Sequence, residues 1–265
     1  MRRPFRLLMA VLCLLIPGIS LMTAAGGDWR TADRSSTGIA PLPQEHPAAL
    51  VQIYAARAFS WRGRLAVHTW IATKERDADG YEVHQVIGWR ERRGLPVLAS
   101  GPEIPDRSWF GSHPDVLVDI RGERAEALIP EIRAAVRTYP FADEYTLWPG
   151  PNSNTFTAHV GRQVPEMGLV LPPTAIGKDY LTNGGLLDST PSGSGYQFSL
   201  LGILGLGLSR EEGLEINLLG LSFGVHPLKL QLRLPGIGII GKKTGPAFTG
   251  KGGGREQPGP ATAAK

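Results

Sequence analysis

Ser153 stands in the run Pro149-Gly150-Pro151-Asn152-Ser153-Asn154-Thr155-Phe156, where a turn, a helix start and a hydroxyl nucleophile coincide. Two prolines and a glycine impose the turn, and Asn152 or Ser153 can cap a helix whose apolar face is Phe156, Val160 and Val164. A side chain at that helix N-terminus meets unpaired backbone N–H groups and the positive end of the helix dipole, which favour an oxyanion. Serine attacks only when a base lies in hydrogen-bond contact, usually with a third group orienting that base. His68, on an alternating stretch, is the candidate base. Gln85 is the candidate orienter, with His84 taking its place in the neighbouring strand register. Asn152, Trp148 and Trp70 are the residues expected to line the surrounding cleft.

Each of these residues also has a plain structural reading. Ser153 is then a helix cap or first-turn residue, and His68 a packed histidine bonded to a carbonyl. Other chemistries are less well supplied. The histidines are scattered without metal-ligand spacing and no paired carboxylates accompany them, so no metal site is expected. No phosphate-binding glycine loop precedes Lys-Ser or Lys-Thr, and no cofactor is expected. The single cysteine, Cys13, lies in an apolar N-terminal run, which excludes an internal disulfide and a Cys-based centre.

The elements that must position Ser153, His68 and Gln85 follow from the pattern along the chain. Arg2, Arg3 and Arg6 precede an apolar run over 7–22, broken by Pro17-Gly18 and followed by Thr23-Ala24-Ala25-Gly26-Gly27. That is the grammar of an export signal over 1–25, or of an N-terminal membrane anchor. Residues 26–47 are polar and proline-bearing and read as a linker. From Ala48 short alternating strands begin, with His68 on the second and Gln85 on the third, joined by a charged hairpin loop over 74–80. Residues 90–116 read as a long irregular connection containing Trp109 and His113. A helix then carries Ala125, Leu128, Ile129, Ile132, Val136 and Tyr139 on one face, and Pro130 predicts a kink or two shorter helices. Residues 145–148 look strand-like, and the helix opened by Ser153 should stop before Pro165.

Beyond the turn-rich stretch 168–195, period-two alternation is the clearest in the chain. Tyr196, Phe198 and Leu200 are followed by Leu204, Leu206 and Leu208, then by Leu214, Ile216 and Leu218. This predicts a β meander with one apolar face. Residues after Gly241, rich in Gly, Pro and Lys, have the composition of a disordered basic tail. The formal charge of +4 comes from the two ends, and the body between them is net acidic, so no nucleic-acid footprint is expected.

Four segments together resemble a known bacterial family. They are Val67-His68-Thr69-Trp70-Ile71, Val86-Ile87-Gly88-Trp89, residues 148–156 and Pro172-Pro173-Thr174-Ala175-Ile176-Gly177-Lys178-Asp179-Tyr180. The family is domain-of-unknown-function 3750, and the resemblance covers roughly 48–220. More distantly, the order of histidine strand, polar partner strand and later helix start is similar to circularly permuted papain-like proteins, of the NlpC and lecithin:retinol-acyltransferase kinds. Asn152-Ser153-Asn154-Thr155-Phe156 looks like their Asn-Cys-x-x-Phe motif with serine in the cysteine position. A thiol is held as thiolate beside a histidine far more readily than a hydroxyl is ionised.

The expected fold class is therefore α+β. A permuted papain-like core over 48–190 (antiparallel meander plus helices) is followed by a Leu/Gly-rich antiparallel β meander over 191–240 and a basic tail over 241–265. The expected protein is exported, periplasmic or anchored to the inner membrane facing the periplasm. Its function is non-catalytic binding or scaffolding in the envelope, with a peptide or lipid as partner and membrane association through the N-terminal segment. The alternative is a serine-dependent hydrolase or acyltransferase using Ser153 and His68.

Overall fold

The computed structural model describes residues 28–241. The export signal or anchor expected over 1–25, and all but the first residue of the expected tail, lie outside the described residues. The chain folds as an α+β protein with two antiparallel sheets. No helix among the described residues is long and apolar enough to cross a membrane.

The first sheet has the order β4-β3-β2-β1-β5. Its strands are β1 (Leu50–Arg57), β2 (Val67–Lys74), β3 (Glu82–Val86), β4 (Leu98–Pro102) and β5 (Asp115–Arg121). Alternation along β2 sends Val67, Thr69 and Ile71 to one face and His68, Trp70 and Ala72 to the other. The first face is covered by two helices, α1 (Glu123–Arg137) and α2 (Ser153–Gln163), over a core that includes Val67, Ile71, Ile129, Ile132, Phe156 and Val160. The second face holds Tyr54, Trp70, Val83 and Trp109. Covering both faces explains why β1 is buried along almost its whole length.

Three local readings are corrected. The connection over 90–116 contains β4, and β5 follows it directly to pair with β1. Residues 145–148 are irregular backbone and bend rather than a strand, and Thr146 N–H donates to Pro151 O at 2.7 Å, which closes the proline-rich bend. Finally, α1 is one helix running through Pro130. Pro130 faces solvent, where the carbonyl that loses its donor can be hydrated. The polar segment before Ala48 also docks on the core. Asp106 accepts from Ser36 Oγ at 2.8 Å and from Ile39 N–H at 2.7 Å, and Tyr81 Oη donates to Pro41 O at 2.7 Å.

The second sheet runs β12-β11-β10-β9-β8-β7-β6. It comprises β6 (Leu187–Ser189), β7 (Gly195–Leu200), β8 (Leu204–Ser209), β9 (Gly213–Leu218), β10 (Leu221–His226), β11 (Gln231–Leu234) and β12 (Gly238–Ile240). Alternation is kept throughout, but with an unusual sense. Polar side chains, among them Gln197, Glu215, Asn217, Ser222 and Arg233, are buried, while the leucines, isoleucines and phenylalanines of the other face are exposed. The inward face meets Arg162 of α2 and the Lys178-Asp179 pair. Asp179 accepts from Asn217 Nδ2 at 2.6 Å and Ser222 Oγ at 2.9 Å. Glu215 accepts from Lys178 Nζ and from Arg233 Nε, both at 2.7 Å. Burial opposes charge on Lys178, yet the carboxylates of Asp179 and Glu215 hold its pKa above the ordinary value. Burial likewise works against ionised Asp179, but Lys178 and the Asn217 and Ser222 hydrogen bonds hold it below the usual range.

Candidate functional site

β2 and β3 bring His68 and Gln85 to the same sheet face, one diagonal step apart. His84 pairs with Ile71 and Val83 with Ala72, so Gln85 falls on the face of Trp70 and His68. His68 Nε2 lies 3.2 Å from Gln85 Oε1. Gln85 Nε2 donates to Glu103 Oε2 at 2.7 Å, and Arg107 Nη2 donates to Gln85 Oε1 at 3.3 Å. With its amide N–H directed to a carboxylate, Gln85 presents its oxygen to the imidazole, which assigns the His68 proton to Nε2. Arg107 and Glu103 are themselves ion-paired.

Trp109 stacks on the His68 ring with centroids 3.6 Å apart and planes 10° from parallel, while Trp70 stacks at 5.7 Å. Burial lowers the His68 pKa from 6.5 to about 3; the Gln85 hydrogen bond opposes the shift and the Arg107 charge adds to it. The imidazole is a neutral ring in a sealed polar cluster. Glu103, Arg107 and Trp109 complete that cluster from an irregular connection where no periodicity marks them. Their i,i+4 spacing is the one sequence signal of the Glu103–Arg107 pair, and it falls outside any helix.

Ser153 is reached from the other side. Asn152 is the helix cap, accepting from Asn154 N–H at 2.9 Å and Thr155 N–H at 3.3 Å in a capping box, and Ser153 is the first helical residue. The helix start presses against the strand that carries His68. Asn154 Nδ2 donates to Val67 O at 3.0 Å, and Thr69 Oγ1 lies 3.3 Å from Ser153 O. Thr69 points to the helix layer, whereas His68 points to the opposite face. Among the described residues the Ser153 hydroxyl takes part in no hydrogen bond, and none joins it to His68. The expected trio is thus brought together in its His68–Gln85 half only.

The other candidates resolve by face and burial. His84 lies one residue from Gln85 and so on the helix side, with Nδ1 2.9 Å from Ser100 Oγ and Nε2 3.9 Å from Glu82. It cannot orient His68. Trp70 does not line a cleft: it is buried against Tyr54, with Nε1 donating to Pro105 O at 2.7 Å. Asn152 is buried too, its amide donating to Leu147 O and Ile176 O, both at 3.1 Å. Trp148 alone reaches the surface, while its Nε1 donates to Leu219 O at 3.0 Å. His159 is a core histidine held by Thr182 and Ala135 O. No group of three or more His, Cys, Asp or Glu side chains among the described residues could hold a metal ion.

These features define an α+β protein whose central helix starts against a histidine-bearing strand and whose second sheet is docked through buried charge. The chain belongs to the family DUF3750, described as a protein of unknown function, whose model matches residues 48–180. No curated protein and no solved structure matches it. The family match ends at Tyr180, before β6 begins.

Proposed function

We propose that this chain is a non-catalytic binding or scaffold protein of the bacterial cell envelope, built on a permuted papain-like core. The papain-like reading is supported by the chain order of His68, Gln85 and Ser153, by the His68–Gln85 contact and by a helix that starts beside the histidine strand. The observation that carries the non-catalytic reading is the state of His68. Its Nε2–H is held by Gln85, its ring is sealed by Trp109, and no hydrogen bond links it to Ser153. A serine nucleophile hands its proton to a base during attack, so the base must be stabilised as imidazolium. Here burial and the nearby Arg107 both oppose that charge. The cluster orders the core, and the ligand is an envelope peptide or lipid.

One observation favours the hydrolase or acyltransferase reading. His68 Nδ1 and the Ser153 hydroxyl are both free of hydrogen bonds, so a rearrangement that joined them would complete a base and nucleophile at a helix N-terminus. Fluorophosphonate labelling of the full chain separates the two, since the probe reacts only with an activated serine. Folded protein that does not label supports the binding role. Labelling lost in both Ser153→Ala and His68→Ala overturns it.

A further inference from the structure

The outward face of the second sheet is almost wholly apolar. One row crosses from Leu187 through Phe198, Leu206 and Ile216 to Phe223, each paired with the next. The adjoining row continues through Leu214, Val225 and Leu232 to Ile240. Seven strands spaced ~4.8 Å apart, six residues long at β7–β10 and three or four at β6, β11 and β12, give a face roughly 30 Å across and about 10–20 Å deep. That is comparable to the largest apolar patch usual on a monomer.

We propose that this face docks on an anionic phospholipid surface. Three observations select lipid over a second copy or another protein. First, in these rows Ser189 Oγ and Tyr196 Oη are the two side-chain hydrogen-bonding groups, both at the β6–β7 end, whereas protein interfaces carry about one hydrogen bond per 100–200 Å² to fix orientation. Second, the apolar surface wraps off the flat sheet onto turns at both ends, with Leu201, Leu219 and Ile237 at one and Leu228 and Leu230 at the other. Leu201, Leu219 and Leu230 have φ of 51–52°, where glycine or asparagine is the easy choice. A flat partner sheet leaves those tips bare, and fluid acyl chains cover them. Third, cationic side chains border the face. Arg210 in the β8–β9 turn and Lys229 in the β10–β11 turn share one carboxylate, Glu211, and the sequence continues after Gly241 with Lys242 and Lys243. Because β6 and β12 are open edges, the sheet lies in the interfacial plane and does not cross the bilayer.

The test uses full-length protein carrying Cys13→Ser and one new cysteine bearing a nitrobenzoxadiazole fluorophore, at Ile216→Cys on the face or at Glu131→Cys on the exposed side of α1. Phosphatidylcholine vesicles are added with or without phosphatidylglycerol. The expected result is a blue shift and a several-fold brightening at position 216 only, larger with phosphatidylglycerol. The triple variant Leu206→Ser, Leu214→Ser and Phe223→Ser should lose roughly tenfold or more in vesicle partitioning. A dark label at 216 on protein that still floats with vesicles overturns the proposal, because the N-terminal apolar run alone is then binding. A label already shielded without vesicles also overturns it; a doubled mass would then assign the face to a second copy, and an unchanged mass to another part of the chain. An equal shift on both vesicle types overturns the anionic preference.

Discussion

The carboxamide of Asn152 occupies the space that a side chain on residue 177 would need: a Cβ on Gly177 would lie 2.4 Å from Asn152 Nδ2. Gly177 also holds φ at +100°, so both backbone and space require glycine there. The pair ties the start of α2 to the segment that leads into the second sheet.

Asn152→Ala should therefore cost more than an ordinary cap. Loss of the cap alone is worth ~0.5–2 kcal/mol, and two buried carbonyls, Leu147 O and Ile176 O, lose a donor as well. Gly177→Ala should destabilise to a similar degree, because its Cβ would push the Asn152 carboxamide off its partners and the positive φ would be strained. Urea midpoints check both, and a wild-type midpoint for Gly177→Ala would refute the packing argument.

Gln85→Ala should lower stability by about 1–3 kcal/mol, because His68 Nε2–H is left buried without an acceptor. Chemical denaturation measures the loss. A neutral outcome would mean that water or Glu103 replaces the amide.

The pH dependence of stability should carry the mark of His68. Its pKa is about 3 in the folded chain against an ordinary 6.5, so the folded state refuses a proton that the unfolded chain accepts. Stability is full above pH 6.5 and falls by up to ~1.4 kcal/mol per unit as pH drops towards 3. His84 and His159, also lowered mainly by burial, act in the same direction. Comparison with His68→Gln isolates the one contribution, and identical slopes in the two proteins would count against it.

The two faces of the second sheet should respond oppositely to substitution. Glu215→Ala removes the carboxylate partner of buried Arg233 and one of the two that Lys178 has, and should cost ~3–5 kcal/mol. Leu206→Ser, on the exposed face, should change stability by less than ~0.5 kcal/mol. Thermal melts of the two variants decide the point, and equal losses would reverse the assignment of the faces.

Much of this was readable from side-chain order. Period-two runs located β1, β2, β3 and the meander, and Asn152 before Ser153-Asn154-Thr155 located the start of α2. β5 carries its own alternation in Val116, Val118 and Ile120, hidden because the strand adjoins a helix with a stronger pattern. Alternation also says that a sheet has two unlike faces, never which one turns inward. The inward choice depends on Arg162, Lys178 and Asp179, whose match to Gln197, Glu215, Asn217 and Ser222 is made across tens of residues. The Glu103–Arg107 support of Gln85 was hidden for the same reason.

Because the meander is seated through its polar side, its outer side carries no instruction about how the chain folds. Substitutions there alter what the molecule meets without altering its shape. The outer surface can therefore diverge among descendants of this chain at the pace set by its surroundings, while the inner surface stays locked to Lys178 and Asp179.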